Sequence, residues 1–138
     1  MPKSSLSKIA DETAASLLGS GLFQTVKVSA ASSGTQIFEE LEAMTRLPSA
    51  LVTISRANFS EDGLERNLEL LVIAADKFRL GSAAKTAGAW ELLEAVERLA
   101  ENGLCPCGIP FTLDSWETVD AGQESITVFA LRLSGAEA

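Results

Sequence analysis

Apolar residues recur at helical spacing in three stretches of the chain and alternate with polar residues in several others. Residues 5–18, 33–47 and about 87–102 place apolar side chains three or four positions apart, which predicts three amphipathic helices. Each stretch ends where a helix is expected to stop, at Gly19, Pro48 and Gly103. The strongest pattern is the third, which carries an acidic stripe opposite its apolar face.

The alternating stretches predict the strands of one sheet. They cover residues 23–28, 50–55, 110–119 and 125–133. Residues 67–75, NLELLVIAA, are apolar on both alternating faces, which predicts a strand near the sheet centre with both faces covered. The predicted order is α-β-α-β-β-α-β-β. This is an α/β fold, a two-layer sandwich of about three helices on a mostly antiparallel sheet, and residues 1–138 are predicted to form a single domain.

Charge and composition exclude several classes of function. The net charge is −8, and residues 61–138 hold the whole imbalance, with six basic and fourteen acidic side chains. We therefore expect neither specific nucleic-acid binding nor attraction to an anionic membrane. No apolar run approaches the roughly 20 residues of a transmembrane helix, and the first residues do not resemble a signal peptide. The sequence thus predicts a soluble protein that is intracellular when it is made.

The chain contains no histidine and no tyrosine. The absence of histidine removes Ser-His-Asp and Cys-His catalysis, and also histidine-ligated metals. The segment GSAAKT lies between a strand and a helix, but Arg79 and Ala84 occupy the places where a phosphate loop needs glycine. We expect no catalytic residue, no cofactor and no metal.

Two cysteines follow the third predicted helix in GLCPCGIPF, residues 103–111. The first interpretation of Cys105-Pro106-Cys107 is a turn at a helix exit. A labile or intersubunit disulfide and a metal site are the alternatives, but one C-x-C pair without histidine lacks the ligands of a zinc site. Redox pairs favour a helix N-terminus, whereas these thiols follow a C-terminus. The turn is therefore the prediction.

Four residues are candidates for an interface. Lys77, Arg79 and Lys85 are the only basic cluster in the acidic half and lie in a predicted loop over residues 76–86. They form either a solvated loop or a docking loop that pairs with an acidic surface on a neighbouring subunit. Trp90 is either a residue at the core edge or an interface anchor.

Two further features carry the same ambiguity. Trp116 is expected to face the side of its strand opposite Phe111 and Leu113, at the core edge or in an interface. The stripe of Glu91, Glu94, Glu97 and Glu101 is interpreted as a solvated helix face. It is also compatible with a wall that repels DNA in a pore, or with a surface that binds a basic partner.

Several phrases of the sequence resemble one known family. GLFQTVKVS, RLPSALVTIS, LELLVIAAD and AGAWELLEAVERLAENGL followed by GIPFTLDSWE are similar to the Gp37-type tail-completion or tail-terminator proteins of Mu-like phages and prophages, over about residues 22–133. The match includes fold positions at Leu47-Pro48 and from Gly88 to Leu93. It supplies no binding residues.

The resemblance implies a structural role in the virion tail, assembled in the cytoplasm of a bacterial host. It implies a homohexameric ring that contacts a tail tube or sheath protein and the head–tail connector. Loops at residues 56–64 and 76–86 are expected to touch neighbours. The alternative hypothesis is a regulatory α/β domain that binds a small molecule, and an enzyme that uses only carboxylates or lysine ranks lowest.

Overall fold

The structure, a computed structural model, describes residues 5–29, 48–77, 83–119 and 126–137. The described elements are helix α1 (Leu6–Gly19), strands β1 (Thr25–Val28), β2 (Ser49–Phe59) and β3 (Arg66–Lys77), helix α2 (Ala83–Glu101), a 3-10 helix (Pro106–Gly108), and strands β4 (Phe111–Val119) and β5 (Ile126–Glu137). The strands form one sheet in the spatial order β1-β2-β3-β5-β4. Strands β1 and β4 are therefore its edges.

This architecture corrects the predicted fold. The described residues contain two α-helices and a mixed five-stranded sheet in the chain order α-β-β-β-α-β-β, so the prediction of about three helices and its element order are wrong. The helix predicted over residues 33–47 lies outside the described residues. The sheet is mixed because β1 runs parallel to β2, whereas the other neighbouring strands are antiparallel. Local alternation predicts strands but not which of them pair in parallel.

Helix α1 forms as its apolar stripe predicts. The Ser5 hydroxyl caps it by accepting a hydrogen bond from the Lys8 N–H at 3.5 Å. Ile9 and Leu17 are buried against the sheet, and Thr13 is buried between them. The Thr13 hydroxyl donates to the Ile9 carbonyl at 2.8 Å, so this polar group has a partner in the core.

Strand β3 is the middle strand of the sheet and is buried on both faces. Leu68, Leu70 and Val72 belong to the main core, which α1 and α2 cover. Ile73 and Ala75 belong to a smaller cluster on the other face. The prediction of a central strand with both faces covered is thus confirmed.

Strand β5 is longer than predicted because a glycine in it makes room for an aromatic ring. The predicted strand ended at residue 133, but β5 continues to Glu137 and pairs with β3 along its whole length. A Cβ atom at Gly135 would lie 2.9 Å from the Pro110 carbonyl oxygen and 3.0 Å from the Phe111 ring. Glycine here permits close packing rather than ending the strand.

Candidate functional site

The most distinctive surface of the described chain is a groove between α2 and the edge strand β4. One hollow, of about 390 Å³, is lined by both tryptophans of the chain and by residues of α2, including Leu93, Glu94, Glu97 and Glu101. A second, of about 460 Å³, adjoins it and shares Glu97, Glu101 and Trp116. We call this continuous surface the tryptophan groove.

A β-bulge in β4 places Trp116 in this groove. Leu113 pairs with Leu133 and Trp116 pairs with Leu131, so β4 has one residue more than β5 between these two pairs. Because paired residues lie on the same face, and residues 131 and 133 share a face, Leu113 and Trp116 also share one. The expectation that Trp116 lies on the face opposite Phe111 and Leu113 is therefore wrong. The bulge at residue 114 shifts the alternation.

Contacts on two sides position the Trp116 indole. Its ring packs edge-on against Phe129 of β5, with centroids 6.0 Å apart and an interplanar angle of 88°. Its Nε1–H donates a hydrogen bond to Glu97 Oε1 at 3.0 Å. Trp116 nevertheless remains 39% exposed, and Trp90 is 55% exposed. The groove thus presents two large aromatic side chains to solvent, of which at least one is held in a fixed orientation.

Carboxylates dominate the charge of the tryptophan groove. Glu94, Glu97 and Glu101 reach it from α2, and Asp114 reaches it from the bulge in β4. Arg98 is the one basic residue among the described side chains that line it. Three residues of the acidic stripe, Glu94, Glu97 and Glu101, therefore line a groove that also has aromatic walls, whereas Glu91 does not line it.

A second exposed apolar surface lies at the turn between β2 and β3. Phe59 is 62% exposed and Leu64 is 70% exposed, and we call this pair the hairpin tip. The turn between them is ordered by hydrogen bonds. The Ser60 hydroxyl donates to Asp62 Oδ1 at 2.5 Å, and the Leu64 N–H donates to the same oxygen at 3.0 Å. These two bonds, the hydroxyl first, lower the pKa of Asp62.

The hairpin tip was predicted only in part. Residues 56–64 were expected to form a loop, but residues 56–59 continue β2 and pair with β3 as far as Phe59 and Arg66. A bulge at Ser55 precedes this extension. The polar sequence of this segment suits a strand here because the residues of β2 from Ser55 to Phe59 are exposed.

The two cysteines lie in the exit from α2, as the turn interpretation predicts. Both are free thiols: Cys105 is exposed, and Cys107 is half-buried in the 3-10 helix with a φ of 54°. The Cys107 thiol donates to Glu12 Oε2 at 2.8 Å, and the Cys107 N–H donates to Glu12 Oε1 at 3.3 Å. These bonds tie the turn to α1. Among the described residues, no group of three or more potential ligands is placed to hold a metal ion.

The thiol contact predicts a measurable pKa change. The hydrogen bond from the Cys107 thiol, and then that from its N–H, lower the pKa of Glu12 below its ordinary value of 4.5. The contact therefore stabilises the fold above that value, and the stabilisation is lost as the pH falls through the lowered pKa. We expect Cys107→Ala to raise the pKa of Glu12, as measured by carboxyl-carbon NMR, and Cys107→Ser to keep it low. An unchanged pKa in the alanine variant would contradict the contact.

The predicted interface residues do not form a single loop. Lys77 is the last residue of β3, and Lys85 lies in the first turn of α2, which begins at Ala83 and not near residue 87. Arg79 lies outside the described residues. Trp90 is exposed in the tryptophan groove. Sequence reasoning missed the grouping of Trp90 with Trp116, because this grouping depends on the bulge in β4.

Within the described ranges, no helix combines the length and apolar character needed to cross a bilayer. No protein-family model matches the chain, and no curated protein matches it in sequence.

Proposed function

We propose that the chain is a structural assembly subunit, a tail terminator or tail-completion protein of a phage or prophage. In this role it binds copies of itself in a hexameric ring, caps the tail tube or sheath, and helps to join the tail to the head. It makes and breaks no covalent bond. The family resemblance of the sequence motivates the tail assignment, and the observation that carries the assembly role is the presence of two separate exposed apolar surfaces.

These two surfaces lie on different parts of the sheet. The hairpin tip belongs to β2 and β3, whereas the tryptophan groove lies beside β4. In the sheet, β3 and β2 lie two and three strands away from β4, so the two surfaces are separated by two to three strand spacings across the sheet, roughly 10–14 Å. A subunit with two distinct surfaces is able to contact a neighbouring copy and the tail end at the same time. Exposed apolar surface of this kind is typical of interaction sites.

The hairpin tip is the surface that we assign to the neighbouring copy. Its two large apolar side chains stand on a turn already held by the Ser60 and Asp62 hydrogen bonds, so little conformational entropy is lost when it binds. It fits a head-to-tail contact with a different surface of the next copy, which closes into a ring when the rotation permits.

Native mass spectrometry over a range of protein concentrations tests this proposal. We expect the wild-type chain to form an oligomer of six copies, and Phe59→Ser combined with Leu64→Ser to shift it to the monomer. The loss of two apolar anchors is expected to weaken association about tenfold or more. Glu61→Gln, in the same turn, is the matched control and should leave the oligomer intact.

Two results would contradict the proposal. One is a wild-type chain that stays monomeric at every concentration. The other concerns tails assembled in host cells that lack the protein. A tail terminator limits tail growth, so electron micrographs of such cells are expected to show tails of abnormal length, and uniform tails of normal length would argue against this role.

A further inference from the structure

The tryptophan groove combines exposed indole rings with converging carboxylates. We propose that it binds an arginine- or lysine-bearing segment of a partner protein, whose cationic side chain contacts the indoles and pairs with the acidic residues. This inference deepens the proposed function, because it names what the groove binds. It rests on the proposed function only in placing that partner at the tail end. The hairpin tip then serves contacts between copies, and the groove serves the partner.

The aromatic side of the groove is suited to a cation. Trp90 is 55% exposed and Trp116 is 39% exposed, so both indoles are accessible to a ligand. The hydrogen bond to Glu97 and the edge contact with Phe129 hold the Trp116 ring in place before any ligand binds. Tryptophan faces attract guanidinium and ammonium groups more strongly than other aromatic rings do. A ring already fixed in position loses little entropy on binding.

The charge of the groove points to the same ligand. Glu94 and Glu101 flank Glu97 along α2, and Asp114 adds a fourth carboxylate from β4. Arg98 offsets only one of these charges. A planar guanidinium is able to form paired hydrogen bonds with a carboxylate and to stack on an indole at once. The groove therefore offers both kinds of contact that such a side chain makes.

A foreign protein fits this surface better than a second copy of the chain does. The described side chains that line the groove include four carboxylates and one arginine, and the chain carries 19 acidic but only 11 basic side chains, so most of the surface charge of a second copy does not complement the groove. The two adjoining hollows form a surface that extends from α2 along β4 as far as Thr112. A surface that continues from a helix along a strand suits an extended peptide segment. The partner is therefore a protein with an exposed basic segment.

The intrinsic tryptophan fluorescence of the chain reports on binding to the groove. The chain has two tryptophans and no tyrosine, and both tryptophans line the groove. We propose to titrate the full chain with a blocked hexapeptide of alternating arginine and glycine while its tryptophan fluorescence is recorded. A saturable change is expected at or below millimolar peptide. The same peptide with citrulline in place of arginine, which is neutral but similar in shape, should give none.

Variants of the groove locate the binding. The combined change Glu94→Gln, Glu97→Gln and Glu101→Gln keeps an acceptor for the Trp116 indole and should weaken peptide binding about tenfold or more. Trp116→Leu, followed by calorimetry, should weaken it by a similar factor. Circular dichroism confirms that each variant is folded.

A matched control separates local contacts from overall charge. A control with Asp11→Asn, Glu61→Gln and Glu65→Gln removes the same number of charges from exposed positions in α1 and in the β2–β3 turn, which do not line the two hollows. This control should bind the arginine peptide within about twofold of the wild type, because distant exposed charges are screened by salt.

Several outcomes would overturn the inference. These are the absence of a saturable signal, equal binding of the citrulline peptide, and equal losses in the groove variant and its charge-matched control. If the groove variants instead dissociate the oligomer in native mass spectra, the groove is a contact between copies. The proposal that it binds a different protein is then wrong. A monomeric wild type that still binds the arginine peptide would contradict the proposed ring but not the groove.

Discussion

Replacing Leu70 with alanine is expected to lower the free energy of unfolding by about 2–5 kcal/mol, the usual range for a leucine deleted from a packed core. Leu70 lies in the middle strand and is fully buried. It pairs with Ile54 on one side and with Leu133 on the other, and it faces the core beneath α1 and α2. No described neighbour is able to fill the space without moving a strand or a helix. We therefore expect a cavity and not a collapse.

Urea unfolding followed by circular dichroism measures this effect. The matched control is Leu18→Ala, which makes the same chemical change at a residue of α1 that is 49% exposed and belongs to neither proposed surface. It should alter the free energy of unfolding by no more than about 1 kcal/mol. Equal losses in the two variants would mean that β3 is not the centre of the core.

Replacing Glu137 with alanine is expected to cost about 3 kcal/mol, near the low end of the range for removing one partner of a buried ion pair. The Arg66 guanidinium contacts Glu137 at 2.7 Å, and the two side chains are only 10% and 13% exposed. The residues are paired across β3 and β5, although they lie 71 positions apart in the sequence. The substitution removes one carboxylate partner from the guanidinium of an arginine side chain that is only 10% exposed.

A double variant separates the contribution of the whole ion pair to stability from the cost of removing only one of its members. Arg66→Met combined with Glu137→Leu removes both charges and should recover most of the lost stability, because apolar replacements of a whole buried pair are often neutral. Glu65→Ala, at an exposed neighbouring position, is the control and should have little effect. Thermal unfolding of the three variants and the wild type provides the test. If the double variant is no more stable than Glu137→Ala, the cost does not come from breaking the ion pair on one side.

The hairpin tip and the tryptophan groove are carried by the same sheet. The core on the helix face holds the sheet rigid, and that rigid frame carries an apolar tip at one turn and an acidic aromatic groove beside an edge strand. Under the proposed function, charge separates the roles of these surfaces. The acidic groove disfavours another acidic copy and favours a basic partner. One chain then distinguishes its neighbours in a ring from the end that it caps.

The sequence predicts those elements whose pattern is set by their own burial. Helix α1 shows its stripe because one face is buried, and β3 reads as a central strand because both its faces are. The helix exit at Gly103 and the turn after it are also found, with Gly103 at a φ of 107°. In each case the signal lies within a few residues of the element that it describes.

The features that the sequence does not predict depend on distant partners. The parallel pairing of β1 with β2 is set by how strands assemble, not by their composition. The extension of β2 to Phe59 depends on pairing with β3, because its exposed residues carry no apolar alternation. The prediction of the candidate site fails for the same reason. Trp90 and Trp116 are 26 positions apart, and no local pattern shows that they meet.

The tryptophan groove depends on a single extra residue in β4. Every side chain of β4 after position 114 owes its orientation to that one insertion. A homologous chain that lacks it would turn its indole away from α2 even if all its other amino acids were the same. A gap of one position, which alignments treat as minor, would then separate proteins that have the groove from proteins that do not.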